Sequence, residues 1–279
     1  MRQFFINPVL NKEIKLRFRS LKTFLGLLAY LLAIGIIVVG FIYLMTNFSS
    51  SGFFRPEESK QMFIMLSFIQ LALILFITPG LSAGIISGER ERQTLNILLT
   101  TTQSSTSIIL SKLFSSVSYL LLLIIASLPV YSIVFLFGGV SPGILLSIMG
   151  LYIFTILVFA SIGVFFSTLI RRTIISIITT YGVTLFFAGG TAFLFLIAVN
   201  FSQSQQLTDN VACYVLAMLN PPIVLASMLM PDIKEQIIRL SGVHTSLWIS
   251  YIVFYSVMII VLIFVSIRKL RPNMNPKIR

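Results

Sequence analysis

Six stretches of this chain each run for more than twenty residues without a single Asp, Glu, Lys, Arg or His: 24–45, 62–87, 113–137, 144–170, 173–199 and 246–267. A helix rises 1.5 Å per residue, so about 20 apolar residues cross the roughly 30 Å of hydrocarbon in a bilayer. The pattern predicts six transmembrane helices. Composition agrees: of 279 residues, 57% are apolar and only 10% charged, far below the quarter or so that a soluble domain carries. The expected fold is an all-α polytopic membrane protein, one transmembrane domain over residues 1–279, whose first partner is the lipid bilayer.

A net charge of +12 would point to nucleic acid in a soluble protein, but here the placement of the charge argues for topology and against a nucleic-acid partner. Arg2, Lys12, Lys15, Arg17, Arg19 and Lys22 precede the first run, Arg90, Arg92 and Lys112 lie between the second and third, and Arg171 and Arg172 between the fourth and fifth. Arg268, Lys269, Arg271, Lys277 and Arg279 follow the sixth. With the N-terminus inside, sixteen of the 20 basic residues are cytoplasmic, and the positive-inside rule then puts both termini in the cytoplasm. The first run is expected to stay attached as an anchor, since its basic and apolar parts are too long for a secretory signal and no A-x-A site follows.

Residues 211–230 are also uncharged and long enough to cross, yet Asn220-Pro221-Pro222 sits at their centre. Two prolines break a helix, and a residue before proline avoids the helical region. Within an extracellular segment 200–245, the expectation is therefore two short helices in or on the outer leaflet, joined at Asn-Pro-Pro, then an amphipathic stretch from Asp232 to Leu240. A plain broken loop is the alternative. At the other end, residues 1–22 place Leu10, Ile14, Phe18 and Leu21 on one helical face, with Asn7 as N-cap and Pro8 at the first position. Such a helix lies in the membrane interface, its cations near anionic head groups.

The second run ends with Gly80, Gly84 and Gly88 at intervals of four, a strip that lets another helix approach closely. Gly189 and Gly190 in the fifth run offer a second small-residue contact. After Gly88 comes Glu89-Arg90-Glu91-Arg92, in which Glu89 and Arg92 can pair at three-residue spacing on a helix whose start favours the acids. Gln93 and Thr94 follow, and Leu95, Leu98 and Leu99 form an apolar ridge. A short helix over 88–103 with that ridge suits a groove on a soluble partner. A membrane-surface helix that merely links two runs has the same periodicity.

What is missing narrows the function. No Asp, Glu, Lys, Arg or His falls within a run, which disfavours an ion-coupled carrier. No G-x-x-x-x-G-K-[ST] loop is present to hold ATP, and no paired carboxylates, Ser-His-Asp set or metal-spaced histidines suggest catalysis, so the chain is not expected to be an enzyme. One cysteine, Cys213, permits no intrachain disulfide, and the single His244 reads as a surface residue.

The string ISGERERQTLNILLTT after a glycine-containing second helix resembles the coupling helix of permease subunits of ABC exporters of the second type. NPVLNKEIKLRFRS resembles their amphipathic connecting helix, and the six-helix layout with short outer helices before the last is similar end to end. The resemblance implies a bacterial cell-membrane exporter of two permease subunits, identical or different, and two ABC ATPase subunits. It implies no cofactor in this chain, since ATP and Mg would be held by the partner ATPases. Glu89, Arg90, Glu91, Arg92, Thr94, Leu95, Leu98 and Leu99 would be the ATPase-docking residues, and Gly80, Gly84 and Gly88 the helix-packing ones. With no charge in the runs, the cargo is expected to be amphipathic or hydrophobic: an antibiotic, an antimicrobial peptide or a lipid-like compound. The rival reading is a membrane anchor or sensor scaffold that transports nothing and binds a cytoplasmic partner.

Overall fold

The computed structural model describes residues 18–48, 56–95, 104–136, 140–204 and 210–270, and the regular structure among them is helical. In chain order the helices are α1 (Leu21–Phe48), α2 (Pro56–Ser82), α3 (Ser87–Glu91), α4 (Ser105–Leu136), α5 (Pro142–Leu169) and α6 (Thr173–Leu185). A π-helical turn (Phe186–Gly190) leads to α7 (Thr191–Ser204), followed by α8 (Val211–Leu219), α9 (Pro221–Leu229), α10 (Pro231–Ser241) and α11 (Leu247–Leu270). Among the described residues, six segments are long and apolar enough to cross a membrane, fitting a multi-pass membrane protein: α1, α2 with α3, α4, α5, α6 with α7, and α11. The expected interfacial helix over residues 1–22 lies almost wholly outside the described residues.

Helix α5 is the hub, packing against α2, α4, α6 and α11. Its sequence explains part of this, because Gly163 presents no side chain where α5 meets the end of α2. A Cβ at Gly163 would collide with the side chain of Ser82 and stand 3.1 Å from the backbone nitrogen of Ala83. Gly150 on the same helix faces open space. Gly163→Ala is therefore expected to cost about 1–3 kcal/mol through overpacking. Gly150→Ala should be neutral or gain up to about 1 kcal/mol from helix propensity. Unfolding temperatures of the two variants in one detergent would test this, and an equal response would refute the close approach.

The Asn-Pro-Pro segment does bend the chain. Helices α8 and α9 meet at 101° across Asn220. Pro221 and Pro222 occupy the first turn of α9, where a missing N–H costs nothing, and the Asn220 carboxamide oxygen accepts from the Ile223 N–H at 2.9 Å as N-cap. Helix α10 follows, burying Ile237 while Asp232, Lys234, Glu235 and Arg239 face outward, and it ends at Gly242 with φ of 66°. His244 just beyond is exposed, and Cys213 is buried as a free thiol.

The amide nitrogen of Asn220 does something its place in a breaker motif did not announce. It donates towards the Ala188 carbonyl at 2.6 Å, the Thr191 Oγ1 at 2.9 Å and the Phe187 carbonyl at 3.2 Å. A π turn disturbs the regular carbonyl ladder, and Asn220 supplies donors where that happens. Gly189 and Gly190 both lie in this π turn, with open space beside Gly189 and Gly190 facing Phe186 of its own turn.

Candidate functional site

The segment from Glu57 to Glu91 is 35 residues long, about 50 Å at 1.5 Å per residue, and so exceeds a bilayer's hydrocarbon. Its charged end can lie beyond the apolar slab. Regular helix stops at Ser82, residues 83–86 form turns, and α3 takes over at Ser87. A break in a helix frees backbone groups that must find other partners. Ser167 Oγ on α5 accepts from the N–H of Ile86 at 2.8 Å and of Ser87 at 2.9 Å. Ser176 on α6 donates its hydroxyl to the Ala83 carbonyl at 2.7 Å. The break is thus held by two hydroxyls from two different helices.

The glycine strip faces α6. A Cβ at Gly80 would lie 2.8 Å from the Tyr181 hydroxyl oxygen, one at Gly84 would lie 3.2 Å from Thr173 Cγ2, and one at Gly88 would lie 3.7 Å from Thr173 Oγ1. A side chain at the first position would have to displace the Tyr181 hydroxyl and one at the second would be tight against Thr173, whereas the third distance is ordinary contact. Tyr181 uses the space to donate to the Phe76 carbonyl at 2.9 Å.

Each of the next three residues reaches a different helix. Glu89 Oε1 pairs with Lys112 Nζ of α4 at 2.6 Å, with Lys112 only 2% exposed and Glu89 27%. Arg90 Nη2 donates to the Thr168 carbonyl at 3.1 Å, one of the carbonyls left open in the last turn of α5, where a cation is favoured. Glu91 accepts from the Thr173 N–H at 2.8 Å and from its hydroxyl at 2.7 Å, so a carboxylate sits at the N-terminus of α6 and meets its free donors. The charged turn therefore ties together α4, the C-terminal end of α5 and the N-terminal end of α6.

This geometry corrects two expectations. Glu89 pairs with Lys112 rather than with Arg92, because α3 is only a turn and a half long and Glu89 is directed inward. Leu95 is 5% exposed and belongs to the protein's own hydrophobic core, so its side chain is not offered to a partner. Leu98 and Leu99, and the helix expected as far as residue 103, lie outside the described residues. After the C-cap Arg92, Gln93 adopts a left-handed conformation with φ of 59°, and the Thr94 hydroxyl returns to the Glu89 carbonyl at 3.2 Å. Arg92, Gln93 and Thr94 form the exposed surface of the turn.

Sequence reasoning missed Lys112, Ser167, Thr168, Thr173 and Ser176. Lys112 carried a signal, as a cation at the start of an otherwise uncharged run, but it was counted only towards topology. The hydroxyl residues carried none, since serines and threonines recur along every run. Farther along the α2–α6 contact, a cavity of about 640 Å³ opens between Phe68, Leu71 and Leu75 on one side and Thr184, Leu185 and Pro222 on the other. Its walls are almost wholly apolar. No family model and no curated protein matches this chain.

Proposed function

We propose that this chain is the membrane-spanning subunit of an ATP-driven exporter of the ABC type in a bacterial plasma membrane, with both termini cytoplasmic. It pairs with a second permease subunit and with two soluble ATPases that bring ATP and Mg. The observation that carries this reading is the three-way attachment of Glu89, Arg90 and Glu91 to α4, α5 and α6. A domain that pushes on such a turn moves three membrane helices together, which a passive anchor does not require. The apolar cavity between α2 and α6 supports a hydrophobic or amphipathic cargo.

Docking then falls to the exposed side of the turn, Arg92 with Gln93 and Thr94, together with the leucines beyond it. Reversing an exposed charge at a contact weakens association without disturbing the core. Arg92→Glu is expected to leave the protein inserted and folded while a phosphate-loop ATPase captured with it from native membranes falls by about tenfold, equivalent to about 1.4 kcal/mol. Glu235→Lys on α10, equally exposed in a different part of the chain, should leave the yield unchanged. If Arg92→Glu retains its ATPase in full, or if the wild-type chain captures none, the exporter reading gives way to the membrane anchor or scaffold.

A further inference from the structure

The end of the bundle opposite the charged turn holds a second cavity, of about 620 Å³. Helix α5 connects the two ends: its 28 residues, about 42 Å, run from Pro142 beside the cavity to Leu169, next to the carbonyl that Arg90 reaches. The cavity lies where the starts of α5 and α11 meet the junction of α9 with α10, and its wall includes Ser141, Ile144, Met228, Lys234, Ser246 and Trp248. Unlike the apolar cavity between α2 and α6, it mixes polar and apolar groups.

The polar part favours an anion. Lys234 is the only ionisable side chain among the described residues of the wall, and it has no carboxylate partner among them, since the neighbouring Glu235 pairs with Arg239 outside the wall. The Ser141 oxygen accepts from the Ile144 N–H at 3.4 Å, which leaves its proton free to donate, and Ser246 supplies a second hydroxyl. The first N–H groups of α5 and α11 point the same way electrostatically.

Depth identifies what carries the anion. Trp248, the chain's single tryptophan, is half-exposed in the wall, and tryptophans gather at the head-group level of membranes. Helix α10, with Ile237 buried and its charges outward, is of the kind that lies in the interface. The abundant anion at that level is a phospholipid phosphate. The apolar part of the wall, Ile144, Met228 and Trp248, suits the glycerol and first acyl carbons below it. A head group with its own ammonium would find no carboxylate in the wall, so a net-anionic lipid matches the site better than a zwitterionic one.

We infer that this cavity binds one anionic phospholipid, its phosphate on Lys234 and its upper acyl chains against Ile144 and Trp248. The inference requires only that the six segments cross a membrane, and it stands whether or not the chain belongs to an exporter. Trp248 is a built-in reporter, because bromine on a lipid chain quenches only tryptophan close to it. The full-length protein is placed in phosphatidylcholine nanodiscs containing a small fraction of brominated phosphatidylglycerol or the same fraction of brominated phosphatidylcholine. Phosphatidylglycerol is expected to quench about fivefold more effectively, equivalent to the roughly 1 kcal/mol that one lysine contributes near anionic lipid. Lys234→Gln should abolish that preference. Lys60→Gln, which removes an exposed cation at the same end of the bundle but outside the wall, should keep it. Millimolar inorganic phosphate, which brings no acyl contact, should leave the quenching unchanged. Equal quenching by the two lipids, a preference that survives Lys234→Gln or vanishes in Lys60→Gln, or relief of quenching by inorganic phosphate would each overturn the inference.

Discussion

Asn220→Leu should lower the unfolding temperature by about 6–12 °C, the largest loss expected from any polar residue in the bundle. The side chain is completely buried and works at both ends: its oxygen caps α9, and its nitrogen serves the Phe187 and Ala188 carbonyls and the Thr191 hydroxyl. Leucine has similar bulk but neither function. Losing the cap costs about 1 kcal/mol, and leaving a buried acceptor unmet adds about 1–3 kcal/mol, for a total of about 3 kcal/mol. Asn220→Asp separates the two contributions. It keeps the capping oxygen but turns a second acceptor towards carbonyls, so it should be at least as damaging as leucine. If the aspartate variant melts with the wild type, only the cap matters and the link to the π turn carries no weight.

Lys112→Met should be the next most damaging substitution. It strands Glu89, one of whose oxygens, Oε2, is already buried without a partner. Breaking a fully buried ion pair by removing one member costs about 3–5 kcal/mol, and the 27% exposure of Glu89 reduces this to about 2–3 kcal/mol. Because the loss comes from the uncompensated charge, removing that charge as well should restore most of it. Glu89→Met with Lys112→Met is therefore expected to be more stable than Lys112→Met alone, read by thermal unfolding in detergent. A double variant no better than the single one would mean that Lys112 holds α4 through contacts other than Glu89.

The bundle was legible because hydrocarbon is an exacting solvent: runs free of charge have one stable use, and the six of them match the six long apolar segments found. The bend at Asn220 was legible for an equally local reason, the backbone chemistry of two prolines. The charged turn was legible as a feature but not as a structure. Helical periodicity tells which residues share a face, not what that face meets, so Leu95 read as part of an exposed ridge although it packs inward. Likewise, i,i+3 spacing made Arg92 the nearest candidate for Glu89. The actual partner, Lys112, is 23 positions away and becomes adjacent only when α4 folds against the turn. Asn220 shows the same limit, since one side chain both ends a helix and mends another, and only the first role leaves a trace in its neighbours along the chain.

Ser167 has a consequence for how sequences of this kind can change. One oxygen there accepts two backbone N–H groups, from Ile86 and Ser87. Threonine is the one common substitute that keeps a hydroxyl at that point. Alanine, the usual conservative exchange for serine in an apolar helix, would leave two donors unmet at once. In a saturation library, a position that looks like any other serine in a hydrophobic run should tolerate substitution as poorly as the tightly packed Gly163.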